Sequence, residues 1–305
     1  MTALLVRRLA QAVVVLLGSM VVVFLLIRLS GDPAQLMLGM NATPQDLASF
    51  RRTQGLDDPL PVQFARFLGG ALHGDFGRSI QQGQPALGLV ADRLPATVEL
   101  AGAALLLSLG TAIPLGILAA SQRGRLVDKA VVGVTALAQA LPPYWLGLIL
   151  ILVFAVGLRW LPSQGRDGPG NLVLPATTLA LFFMARTTRL MRSSMLDVLG
   201  QEYLRTARAK GLPERLVLFR HALKNAALAV VTVAAIDFSV LMGGAVITET
   251  VFAWPGLGRL VIQSIFNRDY PVVQAAVFVV AVIVITANVV VDLVYLYLDP
   301  RVRYR

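Results

Sequence analysis

A chain of 305 residues that is 56% hydrophobic and only 14% charged, with a mean hydropathy of +0.72, cannot be a soluble domain, for which the charged fraction is roughly one quarter. Its net charge of +10 is distributed between apolar runs rather than gathered into one stripe, which favours a topology signal over a nucleic-acid surface. The absence of cysteine excludes disulfides and thiolate metal sites, and two widely separated histidines, His73 and His221, leave no ligand set for a structural or catalytic metal.

Taken in order, the chain opens with Arg7 and Arg8 before an apolar run from Leu9 to Ile27, long enough at about 1.5 Å per residue to cross a hydrocarbon core of about 30 Å. A signal peptide is the alternative, but the run exceeds the usual apolar region and no A-x-A-like site follows it. The reading is a retained first span, residues 1–29, with a cytoplasmic N-terminus. Residues 30–95 are polar and punctuated by Gly and Pro, with amphipathic pieces at Pro44 to Arg52 and Val62 to Leu72, and read as an extracytoplasmic insert of short helices and loops. Residues 96–298 then hold five further spans. The second covers Ala96 to Ala120, with Glu99 near its outer end in reach of solvent or headgroups and Pro114 inside it. Arg123, Arg125 and Lys129 mark a cytoplasmic turn. The third, Ala130 to Leu158, carries Pro142 and Pro143 near its middle, where freed carbonyls demand a kink packed on protein or lining a cavity.

A fourth span from Leu172 to Arg189 has only about 14 uninterrupted apolar residues, short of the roughly 20 expected, so Arg186 and Arg189 would have to snorkel to the cytoplasmic face. A re-entrant segment is the alternative and would reverse the topology downstream. The fifth and sixth spans are Ala226 to Val246 and Val272 to Leu296, and residues 299–305 form a basic tail. The segments assigned inside hold 17 of the 27 basic residues, which places both termini in the cytoplasm.

Three stretches carry functional content. Residues 195–226 are the longest polar interval in the second half; Gly211 and Pro213 end one helix there and begin another. Tyr203, Leu204 and Ala207 give the first helix an apolar face beside a basic one, suited either to a partner's groove or to anionic lipid heads. Asp237, near the middle of the fifth span, costs at least about 2.5 kcal/mol on insertion scales unless it meets protein or water, and is expected to face a pathway or a polar partner helix. Phe252 and Trp254 could form an aromatic belt at headgroup level. None of the three lysines, Lys129, Lys210 and Lys224, follows the glycine that a phosphate-cradling P-loop requires.

RTARAKG, nine residues and then HALKN resemble the cytoplasmic coupling segment of permease subunits of bacterial ABC importers. Together with GDPA, LGLDDPLP, LPPYWLG, VFAWPGLGRL and DPRVRY they look most like the first, B-type permease of the dipeptide/oligopeptide/nickel family, over nearly the whole chain. Against the general family pattern, Arg205 and Thr206 replace Glu and Ala, whereas Ala207 and Gly211 are kept. His221 and Lys224 stand where Ile and Pro are usual. Those departures are typical of the peptide subfamily. The resemblance implies an all-α integral membrane protein with six transmembrane helices and the type I ABC importer permease fold, in a bacterial inner membrane. It also implies coupling through Glu202, Arg205, Thr206, Ala207, Lys210, Gly211 and Leu212, and a gate region including Trp254, Pro255 and Gly256 with Asp237 on the pathway. Expected partners are a homologous second permease, two ATP-binding subunits, an extracytoplasmic solute-binding protein and the lipid bilayer, with no nucleic acid. The chain itself would be no enzyme, with neither catalytic nor metal-ligating residues and no cofactor of its own, ATP and Mg being held by partners. Nickel chelates, glutathione or another small solute are the alternative cargo, and a secondary transporter or channel subunit a more distant reading. No internal repeat of the kind secondary transporters carry is evident.

Overall fold

Hydrocarbon offers no hydrogen bonds, so an apolar backbone within it must satisfy its own N–H and C=O groups, as a helix does. The computed structural model, which describes residues 2–29, 33–38 and 42–298, meets this requirement with helices throughout. They are α1 (Thr2–Leu29), α2 (Pro33–Leu38), α3 (Pro44–Gln54), α4 (Leu60–Leu72), α5 (Ala86–Ser121), α6 (Leu126–Ala140), α7 (Pro143–Leu150), α8 (Gly170–Leu199), α9 (Glu202–Ala209), α10 (Glu214–Leu216), α11 (Leu223–Gly244), α12 (Val246–Val251), α13 (Leu257–Phe266) and α14 (Tyr270–Leu298). Gly31 and Asp32 of the GDPA motif, and the tail at 299–305 with its DPRVRY motif, lie outside the described residues.

All six predicted spans fall on helices, with altered bounds. Four helical stretches can each cross a membrane by length and composition: 10–29, 86–121, 214–243 and 270–290, and α6 with α7 makes a fifth if that bent pair is one span. α5 begins at Ala86, ten residues before the predicted start at Ala96, and continues through Pro95 and Pro114. At Leu141, Pro142 and Pro143 the expected kink is a break of 99°, because two successive prolines remove two donors and Pro142 adopts an extended cap. α7 then runs into a π-helical turn, Ile151–Gly157. α8 continues beyond the predicted end at Arg189 to Leu199; its arginines, not its length, keep it outside the apolar set.

The chain forms two compact units, Met1–Thr97 with Pro255–Thr286, and Val98–Trp254 with Ala287–Arg305. In the first, Met20, Phe76, Leu89, Val90, Leu257, Leu260 and Val272 belong to one apolar core. An aromatic series, Phe24, Phe67, Phe76 and Phe278, crosses it at centroid spacings of 5.9, 6.4 and 5.2 Å. α3 starts from a capping box in which Thr43 and Asp46 satisfy one another's backbone N–H groups. The Thr43 hydroxyl, donating to the Asp46 carboxylate at 2.6 Å, and then the Thr43 N–H hold that carboxyl below its usual range. The loop before α5 is tied down by buried Asp269, which accepts from the Ser79 hydroxyl at 2.5 Å and from the Ile80 N–H at 3.1 Å.

In the second unit α8 is the centre, with α6, α7, α11 and α12 packed on it. Arg192 of α8 grips Asp128 of α6 bidentately, at 2.6 and 2.8 Å, and the same carboxylate caps the turn at Gly124, whose φ is 78°. α10 passes through a π-helical turn, Val217–Ala222, directly into α11.

Candidate functional site

The polar interval 195–226 folds as the end of α8, a short independent helix and a tight return. α9 starts after extended Gln201 and places Glu202 in its first turn and Arg208 in its last, the order the helix dipole favours. It ends because Gly211 takes φ 76°, its N–H bonding the Arg208 carbonyl at 2.9 Å, and Pro213 begins the next helix. Arg208 closes the return with two bonds to Glu214, at 2.9 and 3.2 Å, which raise the guanidinium's proton affinity; an exposed pair of this kind adds little stability. A β carbon at Gly211 meets nothing within 4 Å, so a Gly211→Val variant isolates the backbone requirement. It is expected to lose about 1–2 kcal/mol of local stability, read as a lower melting temperature of the purified complex.

The two faces of α9 differ sharply. Leu204 is fully buried and Ala207 nearly so, in one cluster with Ile117 of α5, Met191 and Met195 of α8, Val217 and Ala222 of the π-helical turn, and Ala226 near the start of α11. Leu204 and Ala207 of the expected apolar face are therefore turned into the subunit, whereas Tyr203 stays exposed; the small side chain of Ala207 lets α9 lie close to its neighbours. Glu202, Arg205, Thr206, Lys210 and Gly211 are exposed and Leu212 is half-buried against the cluster. Arg205 pairs with Glu202 at 2.9 Å, and the Thr206 hydroxyl donates to the Glu202 carbonyl at 3.2 Å. The free surface is thus polar and mixed in charge, with Lys210, Arg215, Arg220 and Lys224 all exposed nearby.

Far from this seat, Asp237 on α11 is 2% exposed and accepts from Arg186 of α8 at 2.7 Å. Arg186 is thus turned to a buried carboxylate, and Arg189 donates to Gln139 of α6. Asp237 meets the polar partner helix that was one of its two expected surroundings. Two opposite charges in separate predicted spans were the signal that could have paired them.

The expected gate residues are divided. Phe252 and Trp254 are buried, at 2% and 0% exposure, so neither forms a headgroup belt. The chain turns sharply there, with Ala253 at φ 49° and the Trp254 N–H bonded to the Glu249 carbonyl at 2.8 Å, and folds both rings inward. Arg166, from the loop before α8, lies 5.9 Å above the Trp254 ring and bonds Glu99 at 2.8 Å, so Glu99 meets protein rather than solvent alone. Pro255 and Gly256 belong to the other unit, where the Leu257 N–H at the start of α13 donates to the Thr97 hydroxyl at 2.7 Å. A small cleft of about 130 Å³ there is lined by Arg93, Pro255, Gly256, Arg259 and Gln263. Sequence reasoning also missed Glu249, fully buried on α12, because a Glu in a polar-flanked motif gives no sign of burial. Among the described residues no three His, Asp or Glu side chains gather as metal ligands.

A bundle of apolar helices that carries intramembrane charge and seats a short polar helix at its end is a membrane transport component. The chain belongs to the family described as the binding-protein-dependent transport system inner membrane component, whose model matches residues 112–304, with the corresponding N-terminal model matching residues 1–101. It is 41% identical to the probable peptide ABC transporter permease protein y4tP of Sinorhizobium fredii, over 98% of each chain. It is 40% identical to the oligopeptide transport system permease protein AppB of Bacillus subtilis, over the whole of both. Its fold is that of the type I ABC importer permease: a chain of the MetNI methionine ABC transporter in an inward-facing conformation matches with a TM-score of 0.60 at 17% identity, covering 69% of this chain and 96% of that one.

Proposed function

We propose that this chain is the pathway-forming permease of an ATP-driven peptide importer, moved by separate ATPase chains that dock on the exposed face of α9. The seating of α9 is the observation that carries the reading: its inner face is locked into the ends of three long helices and its outer face is polar and open. Force applied to such a helix is transmitted to the bundle because close-packed interiors compress little. The docking surface comprises Glu202, Arg205, Thr206, Lys210, Gly211 and Leu212. With none of its three lysines in a P-loop, the chain leaves ATP and Mg to its partners. A homologous permease completes the pathway, two ATPase chains drive it, and an external solute-binding protein delivers the peptide. Both termini and α9 then lie on the cytoplasmic side of the inner membrane, in keeping with its concentration of basic residues.

Reconstituted with those partners in liposomes, the complex is expected to accumulate labelled dipeptide only with ATP and the external receptor present. Because the chain holds no cysteine, Lys210→Cys gives it a single thiol. That thiol is expected to resist an impermeant maleimide in intact cells and to react once the inner face is opened. Uptake without the ATPase chains, or labelling of residue 210 from outside, would overturn the proposal.

A further inference from the structure

α8 is enclosed on most of its circumference: thirteen of its residues between Leu174 and Met195 are buried. Beyond exposed Val173 near its start, the open side of α8 is one stripe in helical register, Phe182, Arg186, Arg189, Ser193 and Asp197, of which Arg189 is half-buried and the others exposed. Other helices of the same unit expose apolar side chains, with Val231, Ile236 and Val240 on α11 and Leu106 and Leu107 on α5. Lipid tails suit those surfaces, whereas a stripe with two arginines and an aspartate must meet water or protein.

Within the stripe Arg186 has a particular geometry. It lies about 24 Å along α8 from Gly170 and about 20 Å from Leu199, so neither helix end is within its reach. One terminal nitrogen is bonded to Asp237 at 2.7 Å; the carboxylate is 2% exposed and the arginine side chain 49% exposed. A guanidinium has five N–H groups in a planar fork, so a buried anion behind it can fix its position while the other edge stays presented to the open side.

We propose that this edge is a carboxylate-binding point on the solute pathway, where Arg186 receives the α-carboxylate of a passing peptide and Asp237 acts as the positioning residue behind it. The assignment rests on the reading of the chain as a peptide importer permease. A single charged contact suits transit, because a pathway site must release what it binds. Asp237 itself is too buried to meet the solute, so the substrate's ammonium group is left to other residues.

The absence of cysteine again supplies the test. In the complete complex with its ATPase chains, held in nanodiscs, Arg186→Cys and Ser193→Cys are expected to react with an aqueous cationic methanethiosulfonate reagent, and Ile236→Cys and Val240→Cys are not. Dipeptide-loaded receptor with ATP is expected to slow the reaction at residue 186. In liposomes, the Arg186→Gln, Asp237→Asn double variant keeps an uncharged hydrogen-bonded pair, and so separates solute recognition from folding. It is expected to assemble and to take up dipeptide about tenfold more slowly, the loss of one charge-assisted bond. Modifying Arg186→Cys with the cationic reagent is expected to recover part of the uptake, and the anionic analogue none. Uptake by the double variant at the parent rate, recovery independent of reagent charge, or a residue 186 thiol that stays unreactive because lipid or the second permease covers it would each overturn the assignment. Failure of the parent complex to take up dipeptide would instead remove the reading beneath it and the peptide carboxylate with it, while the labelling pattern would still report whether the stripe meets water.

Discussion

A Leu204→Asp variant is expected to abolish transport while leaving the long helices folded. Leu204 is fully buried where α9 meets Met191, Met195 and Val217, and truncation of such a leucine costs about 2–5 kcal/mol. A carboxylate adds desolvation with no cation in that cluster to offset it, so detachment of the eight-residue helix is the cheaper outcome. The measurement is co-purification of the ATPase chains together with ATP-dependent uptake, and both should fall to background. Lys210→Ala is the contrasting change: an exposed cap residue whose loss should alter stability by no more than about 0.5 kcal/mol and yet weaken the salt-dependent attachment of the motor. Parent-rate uptake by Leu204→Asp would show that α9 is not what transmits the stroke.

Trp254→Ala should give the largest loss of stability of any single change outside that seat, about 3–5 kcal/mol. The indole is fully buried beside Phe252, which packs so closely on α7 that a β carbon at Gly147 would stand 3.0 Å from its ring. Removing the indole also removes the surface beneath Arg166 and frees the loop that the Phe252 carbonyl holds through the Gly165 N–H at 3.0 Å. A lower melting temperature in detergent and new protease cleavage between residues 158 and 169 are the expected readouts. An unchanged melting temperature would contradict the burial described for this ring.

How much was legible in the sequence follows from the range of the interactions. Apolar runs announced α1, α5, α11 and α14, since span length and composition are local properties. Gly211 and Pro213 announced the end of α9 for the same reason, and Gly211 takes the left-handed conformation. α5 begins ten residues ahead of the span read from the sequence because Asp92 and Arg93 end the apolar run there, while Ala86, Leu89 and Val90 pack into the core of the first unit. The burial of Trp254 was not legible because the turn at Ala253, which carries it inward, leaves no local signal. The burial of Ala207 was not legible because facing direction on an eight-residue helix depends on which side its neighbours lie. Arg186 with Asp237, Arg192 with Asp128 and Ser79 with Asp269 join residues 51, 64 and 190 positions apart, and no local pattern encodes such separations.

The junction between α10 and α11 has a mechanical corollary. No loop separates Glu214, bonded to Arg208 on α9, from the membrane-crossing stretch that continues to residue 243; the only departure from regular winding is the wide turn at Val217–Ala222. Tilting the short helix therefore applies torque to a continuous rod, and the wide turn, the one break in its regular winding, is the point at which that rod can twist before it translates.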